Sequence, residues 1–439
     1  MNLLHKYNDP ETVAFVTLYP RKGELYSRGT SGVAMYTKNI VSRMKRRVLV
    51  FANIYDKKRS YTEANALISR SFDTKTPLMW LQIAKELRTY TKVKHVFVQF
   101  DFAIYGSLVN TAFLLPFLLY LRLTGKTVHV VNHHIVVDVK KLSGHLGLTN
   151  TLKDKCKAVC MNTVFHLFYM LLGLVSKNVI VLEETLKTML ASVIPANKLR
   201  AIPIGVDRDL VAIDKQKARK LLGIPKDSKV LLFFGFINWF KGADFFTNTF
   251  AKETTILDKP LQAIVAGGVS PTQKDKRYYQ TYYQNVLSSV EDSQSTKITG
   301  YVPQKDISLY FSASDLVVLP YRHYMTASGV LSLVFSYKKP FVISENLKEM
   351  FQSPDIKEGL RESGLTFNDF VFELQASSCK KTSSKVLQNG IQKKMELFAK
   401  LMQEKRSYTQ TALLYEQMLV QDVPALSLQP ATEPVVVER

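Results

Sequence analysis

The 439-residue chain has few cysteines, a shortage of acidic residues and no long uninterrupted apolar run, and each shortage excludes a class of protein. Cys156, Cys160 and Cys379 are too few for a disulfide framework and do not have zinc-ligand spacing, so a reduced, cytoplasmic compartment is expected. The first residues lack the charged-then-apolar layout of a signal peptide. The longest apolar stretch, residues 159–175, is shorter than the ~20 residues of a membrane span and includes an asparagine and a histidine.

The shortage of acidic residues leaves 59 Lys and Arg against 37 Asp and Glu, a formal net charge of +22 and a pI near 9.6. Such an excess favours anionic partners, which are nucleic acid, acidic lipid headgroups or phosphorylated substrates. The chain shows no motif that reads nucleic acid, and charge alone is a poor indicator of it. We therefore do not expect a nucleic-acid partner.

Short apolar runs alternate with helical patterns along most of the chain, which predicts parallel sheets covered by helices on both faces. The predicted strands form two series: residues 13–19, 47–53, 94–100, 127–131 and 178–182, then 230–234, 263–266, 296–299, 316–319 and 340–343. The two series predict an α/β chain with one domain over residues 1–205 and a second over residues 206–405. Residues 423–439 carry little pattern and several prolines, which predicts a disordered tail.

The stretch LLFFGFINWFKGAD, residues 231–244, predicts a strand, a turn at Gly235 and a helix that starts after Lys241. The free N–H groups and positive dipole end of a helix start bind phosphate oxygens, and a lysine adds a full charge. A similar turn lies at Gly32 in the first series, and His133 and His134 follow a strand. Ligands of such sheets bind beyond the carboxyl ends of the strands, so we expect a cleft between the two domains.

Four segments together resemble glycosyltransferase family 4. They are Ser31-Gly32-Val33, residues 202–207 (IPIGVD), residues 234–242 and residues 300–340, which include Ser328-Gly329-Val330. The resemblance implies a GT-B fold, with two doubly wound Rossmann-like domains facing across a cleft and a final helix, residues 406–422, that crosses back to the first domain. It also implies transfer of a sugar from a nucleotide-diphosphate donor to a hydroxyl acceptor, with retained configuration.

The resemblance also implies roles for particular residues. Lys241 would hold the donor diphosphate, and His133 would lie near the reacting sugar, with His134 as a competing candidate. No metal or other cofactor is expected, because cations and amides can neutralise the diphosphate. The implied donor-binding residues are Gly32, Gly235, Lys241, Tyr301, Val302, Tyr321, Ser328, Gly329 and Val330.

Three positions depart from the family pattern. Phe236 stands where the family usually has an arginine, and Met325 and Leu333 stand where it usually has two glutamates. The chain therefore resembles a subgroup with an SGV motif in place of the glutamate pair. These departures keep open a second interpretation, a degenerate GT-B protein that binds a nucleotide sugar or a partner without turnover.

Several other side chains allow two interpretations. Glu183 could line the cleft or belong to a helix start, and Arg322 could face the donor or solvent. Trp239 and Phe240 could stack on a sugar or pack between the domains. The triplet 207–209 (DRD) resembles a metal motif, but its position at the domain junction favours a structural role.

A cluster of lysines precedes the apolar stretch 159–175. Basic charge beside an apolar helix is typical of proteins that dock on anionic membrane surfaces, which would place a lipid-linked acceptor within reach. The alternative is a core helix of the first domain with a solvated basic approach. The cluster consists of Lys140, Lys141, Lys153, Lys155 and Lys157.

Overall fold

The computed structural model describes residues 3–25, 31–102, 104–388 and 390–421. Within them the chain forms two α/β sheets, each with helices on both faces. The predicted tail at residues 423–439 lies outside the described residues.

The first domain has eight strands. They are β1 (Val13–Thr17), β2 (Val48–Asn53), β3 (Arg59–Glu63), β4 (Ala66–Phe72), β5 (His95–Phe100), β6 (Thr127–Asn132), β7 (Asn178–Val181) and β8 (Leu199–Ala201). Its helices are α1 (Leu3–Tyr7), α2 (Gly32–Val41), α3 (Met79–Leu87), α4 (Leu108–Ala112), α5 (Leu114–Leu123), α6 (Ser143–Leu146), α7 (Leu152–Val175) and α8 (Glu184–Leu190), with 3₁₀ turns at Val139–Leu142 and Ala196–Lys198. The sheet order is β3-β4-β2-β1-β5-β6-β7-β8, and all pairs are parallel except β3 with β4.

The second domain repeats this architecture. Its strands are β9 (Lys229–Phe234), β10 (Thr255–Ile256), β11 (Lys259–Ala266), β12 (Thr296–Ile298), β13 (Leu316–Leu319), β14 (Phe341–Ser344) and β15 (Val371–Phe372). Its helices are α9 (Lys215–Leu221), α10 (Ala243–Phe250), α11 (Arg277–Ser288), α12 (Gln304–Ala313), α13 (Gly329–Ser336), α14 (Pro354–Ser363), α15 (Phe367–Phe370), α16 (Ala376–Leu387) and α17 (Ile391–Lys405), with 3₁₀ segments at Trp239–Lys241 and Glu345–Gln352. The parallel strands run β12-β11-β9-β13-β14-β15, and β10 pairs antiparallel with β11.

Both series of predicted strands are confirmed, but five strands were not predicted: β3 and β4 at the edge of the first sheet, and the short strands β8, β10 and β15. The strand β3 reads RSYTE and its side chains are half-buried or exposed, so it carries no apolar pattern. Between β5 and β6 the chain forms two helices, α4 and α5, that meet at Phe113. The cause is Pro116, which has no N–H to donate to the carbonyl of Ala112 four residues earlier.

The order of the strands reverses between β1 and β5 in the first sheet and between β9 and β13 in the second. Such reversals open a crevice at the carboxyl ends of the strands. The two crevices face each other, because residues that follow β6 hydrogen-bond to residues that follow β13: the amide of Ile135 donates to the carbonyl of Met325 over 2.8 Å. The predicted cleft between the domains is therefore present.

The last helix, α18 (Tyr408–Gln421), returns to the first domain as predicted. The hydroxyl of Tyr415 lies 3.0 Å from that of Tyr36 on α2, and its ring packs against Phe15 and Phe97. The chain crosses between the domains twice, once near Val206 and once before α18. The two crossings lie side by side, since the amide of Val206 donates to the carbonyl of Arg406 over 2.7 Å. The two domains are thus joined by two chain segments.

Helix α7 is longer and more exposed than the sequence indicated. It has 24 residues, and it is the one helix in the described part of the chain that is long and apolar enough to cross a membrane. Only 28% of its most apolar window is buried. The expectation that no stretch is as long as a membrane span was wrong, because the helix begins seven residues before the apolar run. The alternative of a core helix of the first domain is wrong as well, because most of this helix is exposed.

Candidate functional site

The turn between β9 and α10 forms one wall of the cleft. Gly235 has φ +110° and Gly242 has φ +73°, conformations that favour glycine. A Cβ on Gly242 would overlap the carbonyl oxygen of Pro320 at the end of β13, so this glycine lets the two strand ends approach. The single turn Trp239–Lys241 then aims the Lys241 side chain back toward Gly235, whose Cβ position lies 3.1 Å from the lysine Nζ.

Lys241 is a half-buried cation without a counter-charge. Its ammonium makes no ion pair and no hydrogen bond within the described ranges, and its nearest partner is the ring of Phe240, 5.9 Å from Nζ to the centroid. Burial lowers the pKa of Lys241 from 10.5 to about 8. Because part of the side chain still reaches solvent in the cleft, an anion can bind there.

The start of α13 lies beside Lys241. The Ser328 hydroxyl caps this helix by accepting from the amide of Leu331 over 3.1 Å, and it lies 3.4 Å from the hydroxyl of Tyr321. A Cβ on Gly329 would meet nothing within 4 Å, whereas a Cγ of Val330 lies 3.6 Å from the Cβ position of Gly235. The first amides of a helix have no partners within the helix, so this start offers hydrogen-bond donors to the anion that Lys241 attracts.

An aromatic pair lies at the neighbouring strand ends. Phe236 and Tyr301 are stacked with centroids 6.4 Å apart and an interplanar angle of 23°. Tyr301 is 44% exposed, whereas Val302 is buried. A Cβ on Gly268 would lie 2.7 Å from the amide nitrogen of Tyr301, so glycine at that position keeps the pair close to β11. The exposed ring face offers a surface on which a nucleobase can stack.

The first domain contributes two histidines with different surroundings. His133 is buried, its Nε2–H donates to Oε1 of Gln99 over 2.6 Å, and its ring contacts the edge of Tyr36. Burial lowers the pKa of His133 to about 3, so its ring is neutral. The structure therefore places His133 inside the wall of the cleft.

His134 is the histidine that faces the cleft. Its side chain is 32% exposed, and its Nδ1 is hydrogen-bonded to the carboxylate of Asp101, which directly follows β5. Burial alone would lower the pKa of His134, but the charge and hydrogen bond of Asp101 raise it, against an opposing effect of the nearby Lys241 charge. A histidine and a lysine from different domains thus approach the same space. Asp101 was missed by the sequence analysis, although its position at a strand end was a usable signal.

Gly32 lies at the start of α2, after Ser31, whose hydroxyl accepts from the amide of Ala34 over 3.2 Å. Gly32 is exposed, and a Cβ there would meet nothing within 4 Å. Neither the backbone φ angle nor a described neighbour therefore prevents a residue with a side chain at this position. The loop residues 26–30 that precede it lie outside the described residues.

The segment between β13 and α13 closes the cleft from the second domain. The hydroxyl of Thr326 donates to the carbonyl of His133 over 2.6 Å, and Met325 is buried between the domains with Leu142 and Phe240. Trp239 packs against this cluster, and a Cβ on Gly144 would overlap its indole ring. Trp239 and Phe240 therefore pack between the domains.

Two other charged residues prove structural. Glu183 is buried and forms a bidentate ion pair with Arg406 at 2.5 and 2.9 Å, and Arg406 also binds Asp355 of the second domain. Arg322 binds both carboxylate oxygens of Asp244 at 2.7 Å and so holds the start of α10.

The triplet 207–209 makes a local turn, in which the amide of Asp209 donates to the Asp207 carboxylate over 3.0 Å. Across the described ranges, no group of three or more His, Cys, Asp or Glu side chains is arranged to hold a metal ion.

Comparison with known proteins agrees with this geometry. Residues 228–369 match the family described as Glycosyl transferases group 1, a range that contains the Gly235 and Lys241 turn and the start of α13. No curated protein matches the chain significantly.

Among solved structures, sucrose-phosphate synthase from Thermosynechococcus elongatus is similar with a TM-score of 0.66 and 14% identity, over 94% of this chain and 98% of that chain. HepE from Anabaena, in complex with UDP and glucose, has a TM-score of 0.60 and 14% identity, over 94% of this chain and all of the other. WaaG, a glycosyltransferase involved in lipopolysaccharide biosynthesis, has a TM-score of 0.59 and 12% identity, over 92% of this chain and 99% of that chain. The two sheets and these likenesses show that the chain has the GT-B fold.

Proposed function

We propose that this GT-B protein, whose second domain matches group 1 glycosyltransferases, moves a sugar from a nucleotide-diphosphate donor to a hydroxyl of a glycan or lipid-linked glycan, with retained configuration. The observation that carries the proposal is the unpaired ammonium of Lys241 beside the start of α13 in the cleft. A buried cation without a counter-ion implies a bound anion, and a diphosphate supplies one at that place.

The chemistry follows from where charge develops. As the bond between the sugar C1 and the phosphate oxygen breaks, negative charge collects on the leaving diphosphate, while the acceptor hydroxyl oxygen forms its new bond to C1 and gives its proton to the leaving phosphate oxygen. Lys241 and the amides of Gly329 and Val330 stabilise that charge more strongly in the transition state than in the bound donor. We propose that this cationic site serves in place of a metal ion, a point that activity in excess EDTA tests directly.

The histidine nearest this chemistry is His134. Asp101 holds its ring and favours its charged form, so that a hydrogen bond and a positive charge are available to the donor phosphate or sugar. We assign His133 a positioning role, since its carbonyl receives the hydroxyl of Thr326 and its ring supports α2 through Tyr36. This replaces the sequence-based expectation for His133 with a proposal for its neighbour.

The exposed ring of Tyr301 and the turn at Gly235 are proposed to hold the nucleoside. Because HepE was solved with UDP and with UDP-glucose, uridine nucleotides are the first donors to test. Met325 is buried in an apolar cluster and cannot bind sugar hydroxyls, so this chain must hold the donor sugar by other groups than the usual glutamate pair.

A second candidate function is binding of a nucleotide sugar without turnover, and Met325, Leu333 and Phe236 at the usually charged positions favour it. One experiment separates the two. Purified protein is incubated with UDP-, GDP- and ADP-sugars, with and without glycan or lipid-linked acceptors, and release of nucleoside diphosphate is measured.

Transfer is expected for the wild type and not for Lys241→Met. The control is Lys339→Met, which removes a second buried lysine whose Nζ donates to the carbonyls of Ser312 and Ser314 instead of facing the cleft. Saturable nucleotide binding with no turnover of any donor would favour the second function. Absence of nucleotide binding would refute both.

A further inference from the structure

Helix α7 presents an apolar stripe to solvent. Its buried residues are only Ala158, Tyr169, Leu172 and Gly173, and no Asp, Glu, Lys or Arg occurs from residue 158 to 175. The exposed apolar side chains recur every three or four residues, which places them on one side of the helix. They are Leu152, Cys156, Val159, Cys160, Val164, Leu167, Met170 and Leu174.

A second stripe lies on the neighbouring helices. Helix α5 packs against α7, and α4 leads into α5. Along α4 and α5 the exposed apolar residues again follow helical spacing, at Val109, Phe113, Leu119 and Leu123. We call these two stripes together the apolar face. Two stripes of exposed apolar side chains on neighbouring helices are unusual for a monomeric soluble protein and indicate an interaction site.

The lysine cluster found in the sequence lies at one end of this face. Lys153, Lys155 and Lys157 are exposed on the first turns of α7, and Lys140 and Lys141 are exposed on the 3₁₀ turn that packs against α7. None of the five forms an ion pair in the described part of the chain. Their charge is therefore available to an anionic partner.

Both ends of α7 are held in the first domain, so the helix lies along the surface of that domain. The hydroxyl of Thr151 caps its start, and at its end Lys198 and Arg122 donate to the carbonyls of Gly173 and Leu174 over 2.6 and 2.5 Å. The strands β6 and β7, which precede and follow it, are neighbours in one sheet. A helix held in this way cannot cross a bilayer without unfolding the sheet.

We propose that the apolar face lies in the interface of an anionic lipid bilayer, with α7 parallel to the membrane and the lysine cluster among the headgroups. The pairing of a charge-free apolar stripe with unpaired cations at its end favours a membrane over a second copy of this strongly basic chain, because two copies would bring like charges together. Leu142, on the same 3₁₀ turn as Lys140 and Lys141, packs against Met325 in the segment that closes the cleft, so docking places the mouth of the cleft near the lipid surface.

The chain carries its own reporter positions for a test. Cys156 and Cys160 are exposed on the apolar face, whereas Cys379 is buried. Full-length protein labelled at Cys160 in a Cys156→Ser background, with a polarity-sensitive fluorophore, is mixed with phosphatidylcholine vesicles with and without phosphatidylserine. Binding is also measured by flotation. We expect a blue shift and flotation that require phosphatidylserine and weaken with salt.

Two variants locate the contact. The double variant Val164→Glu, Leu167→Glu should abolish flotation. The control Leu221→Glu should not, because this leucine is 62% exposed but lies on α9 of the second domain, outside the apolar face. Replacing Lys153, Lys155 and Lys157 by glutamine should weaken binding roughly a hundredfold. Each variant must keep the wild-type circular dichroism spectrum and melting temperature.

The proposal is overturned if the label shows no shift with anionic vesicles, or if the Val164→Glu, Leu167→Glu double variant floats like the wild type. It is also overturned if light scattering shows a stable dimer that Leu167→Glu dissociates while vesicles do not bind. None of these readouts depends on turnover, so failure of membrane binding leaves the proposed sugar transfer intact and failure of transfer leaves membrane binding intact.

Discussion

Replacing Lys241 by methionine is expected to change stability and nucleotide binding in opposite directions. The ammonium is buried without a counter-ion, and the fall of its pKa from 10.5 to about 8 corresponds to about 3 kcal/mol against the charged form. At pH 7 the folded protein holds this charge at a cost, because its folded-state pKa is lower than that of the unfolded chain. Lys241→Met removes the cost and should raise the free energy of unfolding by about 1–3 kcal/mol.

The same charge should account for much of the affinity for a nucleoside diphosphate. A diphosphate beside Lys241 removes the penalty, so the variant is expected to lose roughly a hundredfold in affinity for UDP or whichever diphosphate binds best. Melting by scanning fluorimetry measures stability with and without nucleotide, and calorimetry measures affinity.

The matched control is Lys339→Met. Burial and the nearby Lys215 charge lower the pKa of Lys339 to about 8 as well, but this ammonium is hydrogen-bonded to two carbonyls at the end of α12. Its removal relieves a similar penalty but takes a donor from the carbonyls of Ser312 and Ser314, and it should leave affinity for the nucleotide unchanged. If Lys241→Met melts below the wild type and still binds nucleotide with wild-type affinity, then Lys241 does not face an anion site and the reasoning fails.

Three further predictions follow from the same contacts. Affinity for UDP should fall by up to about tenfold per pH unit above pH 8, because Lys241 loses its proton in the free protein. This pH dependence should vanish in Lys241→Met. Calorimetry at several pH values measures the affinity, and a flat wild-type profile would contradict the prediction. Arg406→Met should lower the free energy of unfolding in urea by about 3–5 kcal/mol, because it leaves Glu183 buried without its partner, and Glu183→Gln in the same chain should recover part of the loss; an unchanged midpoint would show that the pair is not formed. Tyr301→Ala should weaken UDP binding about tenfold but leave pyrophosphate binding unchanged, and equal losses for both ligands would place the base elsewhere.

The sequence was most informative where local geometry repeats. Strands buried on both faces are continuous apolar runs, so β9 and β13 could be located, and with them the turns at Gly235 and Tyr321. The start of α13 at Ser328 was also predictable, because a serine cap before an apolar helix is a local signal.

What the sequence could not give was which side chain of a neighbouring pair faces the cleft. His133 and His134 are adjacent at the end of β6, and neighbouring side chains along an extended chain point in opposite directions. His133 therefore lies in the wall of the cleft, hydrogen-bonded to Gln99, and His134 is hydrogen-bonded to Asp101. Those partners belong to a different strand, since Gln99 lies in β5 and Asp101 directly follows it. Arg406 was missed for the same reason, since its partners Glu183 and Asp355 come from distant parts of the chain.

The burial of Tyr415 against Phe15 and Phe97 has a consequence for biosynthesis. Residues 1–200 leave the ribosome before α18 does. Phe15 and Phe97 of the nascent first domain therefore stay uncovered by Tyr415 until that helix emerges. The packing of the first sheet is thus completed only when α18 is made, and a premature stop before residue 408 would leave Phe15 and Phe97 without the ring that covers them.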